Sequence, residues 1–272
     1  MSVTITAADI NKLRQTTGAG MLDCRKALTE SNGDFEAAID WLRKQGQKVA
    51  AKRSDREAKE GVVIAQTTAD GKSGIVLCIS CETDFVSKNA DFVAFAQSIA
   101  DAAIANNVKT AEELNGVTVN GATVEQLIND KLAAIGEKIA VSKFERVDAP
   151  YVASYIHGAN RMGVLVSMTK EAAEAGKDVA MQIAAMNPLA VDETSISQET
   201  KDREKAIAIE MIKAEGKPAE MAEKIADGKM NRFFKDNTLM AQAFVKDGNK
   251  SVAEYPKGTN ADLKVTEFNR EA

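Results

Sequence analysis

Between Thr6 and Lys44 apolar residues recur at helical spacing, and the pattern is interrupted twice. Thr6-Ala7-Ala8-Asp9 reads as a capping-box start, with Ile10 and Leu13 lining one face of the helix that follows. Gly18-Ala19-Gly20 breaks that helix, and Met21 to Glu30 forms a second, which Asn32-Gly33 ends. Asp34 caps a third, running from Phe35 to about Lys44, before Gly46. The core of this three-helix unit comes from Ile10, Leu13, Ala27, Leu28, Phe35, Ile39, Trp41 and Leu42. Such a core is small and gives only marginal stability. From Gln47 to Glu60 the chain turns polar, and it is read as a solvated linker or an exposed helix.

After Gly61 the period changes. The strand Gly61 to Thr68, the turn Ala69 to Gly74, the apolar strand Ile75 to Cys81 and a helix from about Asp91 to Ala105 form one unit. The order recurs in Tyr151 to Ile156, the turn His157 to Gly163, the strand Val164 to Met168 and a helix from Asp178 to Met186, before Pro188. Each copy is a hairpin plus a helix, which predicts two related α+β subdomains. Aligning the glycines that open the second strands leaves extra chain in the first copy at Thr83 to Asn89.

The segment between the copies, Ala111 to Arg146, is read as a helix pair around Leu114, Leu127, Ile128, Leu132 and Ile135. From Ser197 to about Phe234, apolar residues at helical spacing on either side of Gly216-Lys217-Pro218 predict a helical hairpin. Its two arms are expected to pack on each other with little apolar surface left over, and to project for contact with a second copy or a partner. The final stretch, Gly248 to Ala272, is polar and poor in periodicity.

Charge narrows the function classes. A net charge of -5 over 272 residues argues against a general nucleic-acid or membrane surface and points to a protein or small-molecule partner. No leader-like start and no long apolar window are present, so a cytoplasmic location is expected. Three cysteines are too few for a disulfide framework. Cys78 and Cys81 form C-x-x-C, but inside a strand positions three apart face opposite sides of the sheet and cannot easily share a metal or a disulfide. His157, the sole histidine, has no nucleophile or metal-ligand set around it in sequence. Neither a cofactor, a metal site nor enzymatic catalysis is therefore expected.

Two places invite an outward role. Thr83-Asp84-Phe85-Val86 leaves the buried strand, so that Phe85 lands in a loop beside a carboxylate. It either folds back on its own helix or plugs a pocket on another molecule. At Gly18-Ala19-Gly20-Met21-Leu22, two glycines hold Met21 and Leu22 at a helix entrance, where they either close the unit's own core or grip a partner.

Leu13 to Leu28 with its Thr16-Thr17-Gly18-Ala19-Gly20-Met21-Leu22-Asp23-Cys24 centre, then Asn32-Gly33-Asp34, Thr83-Asp84-Phe85-Val86, and Ser154-Tyr155-Ile156-His157-Gly158 with Gly163 to Val166 resemble bacterial translation elongation factor Ts in order and spacing. The resemblance covers residues 1 to about 245. It implies a guanine-nucleotide exchange factor for the GTPase elongation factor Tu, with no direct nucleic-acid or membrane contact and a possible homodimer. The implied fold is α+β: a ubiquitin-associated-like three-helix domain with a basic linker at 1–54, a core subdomain at 55–150 carrying the Thr83–Val86 element, a second core subdomain at 151–196 and 236–272, and a helical hairpin at 197–235. By the same resemblance Thr83, Asp84, Phe85 and Val86 insert beside the magnesium site of the GTPase. Arg14, Met21, Leu22 and His157 contact the partner, with Leu22 standing where many members carry Met. Past Tyr255 the sequence diverges, and Pro256 interrupts what would otherwise continue as helix. The alternative from residues alone is a non-catalytic adaptor that binds through the N-terminal helices.

Overall fold

A computed structural model of the chain describes residues 4–53, 55–216, 218–255 and 262–272; Pro256 lies outside them. The chain divides into two compact units. The first takes in the segment up to Ile64, Ile75–Arg146 and Gly158–Met162, and the second Ala65–Gly74, Val147–His157 and Gly163–Ala272.

The first unit opens with α1 (Ala7–Thr17), α2 (Met21–Glu30) and α3 (Phe35–Arg53). The capping box at Thr6 is formed: the Asp9 amide donates to Thr6 Oγ1 at 3.2 Å and the Thr6 amide donates back to Asp9 at 3.0 Å. Gly18 ends α1 in the left-handed region at φ 70°. Leu13, Cys24, Ala27, Leu28 and Ala38 are buried between the helices, with Ile10, Phe35, Ile39, Trp41 and Leu42 packed around them, close to the core expected from periodicity.

There follow β1 (Glu60–Thr67), β2 (Ser73–Cys81), α4 (Asp84–Ser87), α5 (Ala90–Ala105), α6 (Ala111–Gly116), the two-residue strands β3 (Thr118–Val119) and β4 (Ala122–Thr123), α7 (Val124–Ile135) and β5 (Ala140–Asp148). The sheet order is β1-β2-β5. The Ser80 hydroxyl donates to the Ala140 carbonyl and that of Ser142 to the Cys78 carbonyl, so β5 runs antiparallel to β2. Ile75, Leu77, Ile79 and Cys81 of β2 meet Phe92, Ala96, Ile99 and Ala103 of α5 in one core, to which Leu132 of α7 also contributes. Burying side chains of this kind is worth roughly 1.5–3 kcal/mol each.

Three readings change here. The third helix does not stop before Gly46 but continues to Arg53 and packs along α7. A Cβ at Gly46 would stand 2.9 Å from Cβ of Ala133, so this glycine marks a close approach of two helices rather than an end. Ala111–Arg146 is not a helix pair alone, because its last residues begin β5. That strand lies at the sheet edge with Lys143 and Glu145 on it, and edge charges hide the alternation that would have marked it. Finally, Thr83–Val86 is not an open loop: Thr83 is the N-cap of the single helical turn α4.

The second unit has β6 (Tyr151–His157), β7 (Met162–Met168), α8 (Ala173–Met186), α9 (Gln198–Ala214), α10 (Ala219–Asn237), β8 (Ala243–Phe244), β9 (Asp247–Ser251) and β10 (Val265–Glu271). The hairpin-plus-helix order of the repeat is present as β6, β7 and α8. Its sheet has the order β10-β7-β6, with Val265 opposite Met168 and Glu271 opposite Gly163 in antiparallel register. The C-terminal stretch thus supplies a strand the sequence did not reveal. Val265 is buried at its start, but the residues that follow are polar apart from half-buried Phe268, so the strand carries little apolar signal. At Gly176 of α8 a Cβ would come within 2.5 Å of Ala153 and Met168, and the missing side chain lets the helix settle on the strands.

Polar groups on α8 hold the C-terminal segment. Gln182, fully buried, donates to Gln242 Oε1 and the Ala243 carbonyl, both at 3.1 Å, and accepts from the Val245 amide at 2.8 Å. Buried Asp178 accepts from Lys246 and from the Tyr255 hydroxyl at 2.6 Å. α9 and α10 pair through Ala208, Ile212, Ala222 and Ala226. Contrary to expectation, this pairing leaves apolar surface: Ile207, Met211 and Met221 are exposed. The small Ala residues at the seam bring the helices together without covering the longer side chains beside it.

Candidate functional site

The site begins where β2 runs out of apolar residues. Cys81 is the last core residue of the strand, and its thiol is pushed up to about 11, first by burial and then by the charges of Glu137 and Glu60. A thiol in this state is not a nucleophile at neutral pH. Glu82 and Thr83 then leave the sheet, and both are held by the α7–β5 connection. Glu137 accepts from the Glu82 amide at 3.1 Å, the Thr83 amide at 3.0 Å and the Thr83 hydroxyl at 2.7 Å. In return, the Lys138 amide donates to Glu82 at 2.6 Å. Arg53, the last residue of α3, and Arg56 reach the same carboxylate at 3.2 and 3.0 Å. The Lys138 amide, helped by Arg56 and Arg53, holds the Glu82 carboxyl below the usual glutamate range.

On this base stands α4. Asp84, in its first turn, pairs with Lys88 at 2.6 Å, which holds its carboxyl below the usual aspartate range. Val86 packs inward against the sheet core. Phe85 points away and is 84% exposed. Of the two outcomes open from sequence, folding back and pointing outward, the structure has the second. Lys88 caps the end of α4, and Asn89 caps α5 by accepting from the Asp91 and Phe92 amides. Beside it a groove of about 550 Å³ is lined by Phe85, Val86, Phe92, Phe95, Leu127, Asp130, Lys131, Ala134 and Ile135, together with Thr17 and Gly18. Lys131 lies over the Phe95 ring, 4.7 Å from its centre.

At the α1–α2 connection, Met21 is 51% and Leu22 82% exposed, so neither closes the small core of its own helices. Arg14 is exposed on the last turn of α1. The groove walls include Gly18 but not Arg14, Met21 or Leu22. His157 belongs to the second unit, exposed at the end of β6, with the Tyr155 hydroxyl 3.0 Å from Nδ1. Among the described residues no group of three His, Cys, Asp or Glu side chains is gathered for a metal ion, and no helix is long and apolar enough to cross a membrane. The arrangement offers apolar projections on anchored elements, which suits insertion into another protein.

Glu137, Glu82 and Arg53 escaped sequence reasoning. The signal that could have found them is β5 itself: once Ala140–Asp148 is a strand, Gly136-Glu137-Lys138 becomes the connection beside the end of β2.

Comparison with known proteins gives the family. The family model described as elongation factor TS matches residues 82–271. A protein of Christiangramia forsetii named "Elongation factor Ts" is 49% identical over 271 residues, covering 98% of each chain. One of Flavobacterium psychrophilum with the same name is 49% identical over 272 residues, covering 99% of this chain and 98% of its own. One from Clostridium perfringens is 43% identical over 278 residues, covering 98% of this chain and 92% of its own. Likeness at this level along nearly the full length, with the Thr83–Val86 element inside the matched region, leaves one assignment: the chain belongs to the elongation factor Ts family.

Proposed function

We propose that the chain acts in translation elongation as a guanine-nucleotide exchange factor: it binds elongation factor Tu carrying GDP, dislodges the magnesium ion and speeds GDP release so that GTP can bind. The observation that carries this reading is Phe85, a large apolar ring set out in solvent on a single helical turn whose base is anchored and whose neighbour Asp84 is a carboxylate. Phe85 enters an apolar pocket of the GTPase, and Asp84 competes for the groups that hold the ion. Magnesium bridging phosphates is a large part of nucleotide affinity, so its loss loosens GDP. No covalent step occurs in this chain, and the work is done by differential binding. By linkage, a factor that weakens GDP binding is itself weakened by GDP to the same degree, so nucleotide drives it off and it turns over.

Arg14, Met21 and Leu22 supply a second contact and His157 a third, and the location is the cytoplasm, where the GTPase works. The exposed Ile207, Met211 and Met221 support the α9–α10 hairpin as a surface for a second copy of the chain. The deciding experiment follows release of a fluorescent GDP analogue from elongation factor Tu, alone, with the chain and with its Phe85→Ala variant. Acceleration by the wild type that is largely lost in the variant is the expected result. No acceleration by the wild type overturns exchange and leaves the adaptor reading, with Met21 and Leu22 as its contacts.

A further inference from the structure

We infer that Glu137 is a positioning residue for exchange: it clamps the base of α4 through Glu82 and Thr83 and so aims Phe85 and Asp84 before a partner arrives. The inference rests on the exchange reading above and adds a residue and a device to it.

An exposed aromatic has no packing of its own to fix its direction, so the direction of Phe85 must come from the backbone beneath it. That backbone leaves the sheet at Cys81, and without support two strand-end amides and a hydroxyl would turn to water. Instead all three donate to one carboxylate, at 2.7 to 3.1 Å. A carboxylate that accepts several such bonds makes each stronger than a neutral contact. The hold is reciprocal, since the Lys138 amide donates to Glu82. Arg53 reaches the Glu82 carboxylate from the end of α3, so the segment is fixed from two sides. A segment fixed in this way loses little freedom on docking, and the saving appears where orientation matters, in the step that expels the ion. Glu137 itself is not required to touch the partner for this.

The test uses the full chain in two assays. The first is amide hydrogen exchange of the free protein, which needs no partner. Glu137→Ala is expected to speed exchange at Glu82 and Thr83 at least about tenfold, while amides of β1 and α5 keep their protection. Glu137→Gln restores protection, because its amide oxygen can accept both N–H groups and its NH₂ can donate to the Thr83 hydroxyl. The second assay is GDP-analogue release over a range of chain concentrations. Glu137→Ala is expected to lower the maximal release rate about tenfold and leave the half-saturating concentration within about threefold, with Glu137→Gln bringing the rate back. Thr83→Val, which removes only the hydroxyl contact, gives a smaller loss of the same kind and serves if Glu137→Ala melts early. Unchanged amide protection, an unchanged maximal rate, or a loss seen only in half-saturation each overturns the positioning role. A wild-type chain without effect on release overturns the exchange reading instead, and the amide data still report whether the clamp exists.

Discussion

Lys88 holds Asp84 across one helical turn, its ammonium 2.6 Å from the carboxylate, on the same short element that sets Phe85 out in solvent. In the free chain the carboxylate therefore already has a cation, and meeting a metal site requires it to exchange that partner. Lys88→Met is expected to raise the Asp84 titration midpoint toward the ordinary aspartate range, read by NMR of the carboxyl carbon. An unmoved midpoint would show that the pair does not form in solution.

Phe85 and Leu22 are both more than four-fifths exposed, so their loss should cost the fold nothing measurable. Phe85→Ala and Leu22→Ala are each expected to unfold in denaturant within about 0.5 kcal/mol of wild type. Their effects on a partner separate: Phe85→Ala lowers the maximal rate of GDP release, whereas Leu22→Ala raises the concentration needed to reach it. A Phe85 variant that also unfolds early would mean the ring packs on its own chain.

Gly46 carries the opposite prediction, because it is buried where α3 meets α7. A valine there would press on Ala133 Cβ and approach the Asn129 carbonyl, within 3.4 Å of the new Cβ. Gly46→Val is expected to destabilise the α3–α7 packing by about 1–3 kcal/mol, measured by urea unfolding. A neutral result would place the two helices further apart than described.

Tyr255 stacks on Phe244 at 4.2 Å, and its hydroxyl donates to Asp178. Burial first, then the bond to Asp178 and that residue's charge, push the phenol up to about 12. Folding thus favours the protonated form. Its contribution is complete below the unfolded value near 10 and is lost as pH rises toward about 12. Absorbance titration of the native protein should show Tyr255 ionising last, after Tyr151, which burial also pushes up, and Asp178→Asn should bring Tyr255 earlier. Simultaneous ionisation of all three tyrosines would contradict the contact.

Where side chains carry the structure, the sequence was readable. The three N-terminal helices, both hairpin-plus-helix units and the α9–α10 pair follow from apolar spacing and from glycines at turns, and the excess chain at Thr83 marked the projecting element. Three things were hidden, each for a physical reason. Gly46 looks like a stop because a missing side chain has the same letter whether it ends a helix or admits another against it. β10 has one buried apolar residue, Val265, at its start and mostly polar residues after it, which leaves little trace in residue type. Glu137 lies 54 residues from Thr83, and a carboxylate that accepts amide bonds across such a gap cannot be told from a solvated one until the strands beside it are placed.

The pairing of β10 with β7 has a consequence for how the second unit forms. Val265 must find Met168 across nearly a hundred intervening residues, so this closure is slow compared with helix formation and comes late. Until it happens, the apolar run Val164–Met168 presents an unpaired edge, the feature by which nascent chains adhere to one another. Shortening the chain before residue 265 should therefore show itself less as a change in affinity for a partner than as loss of yield during refolding.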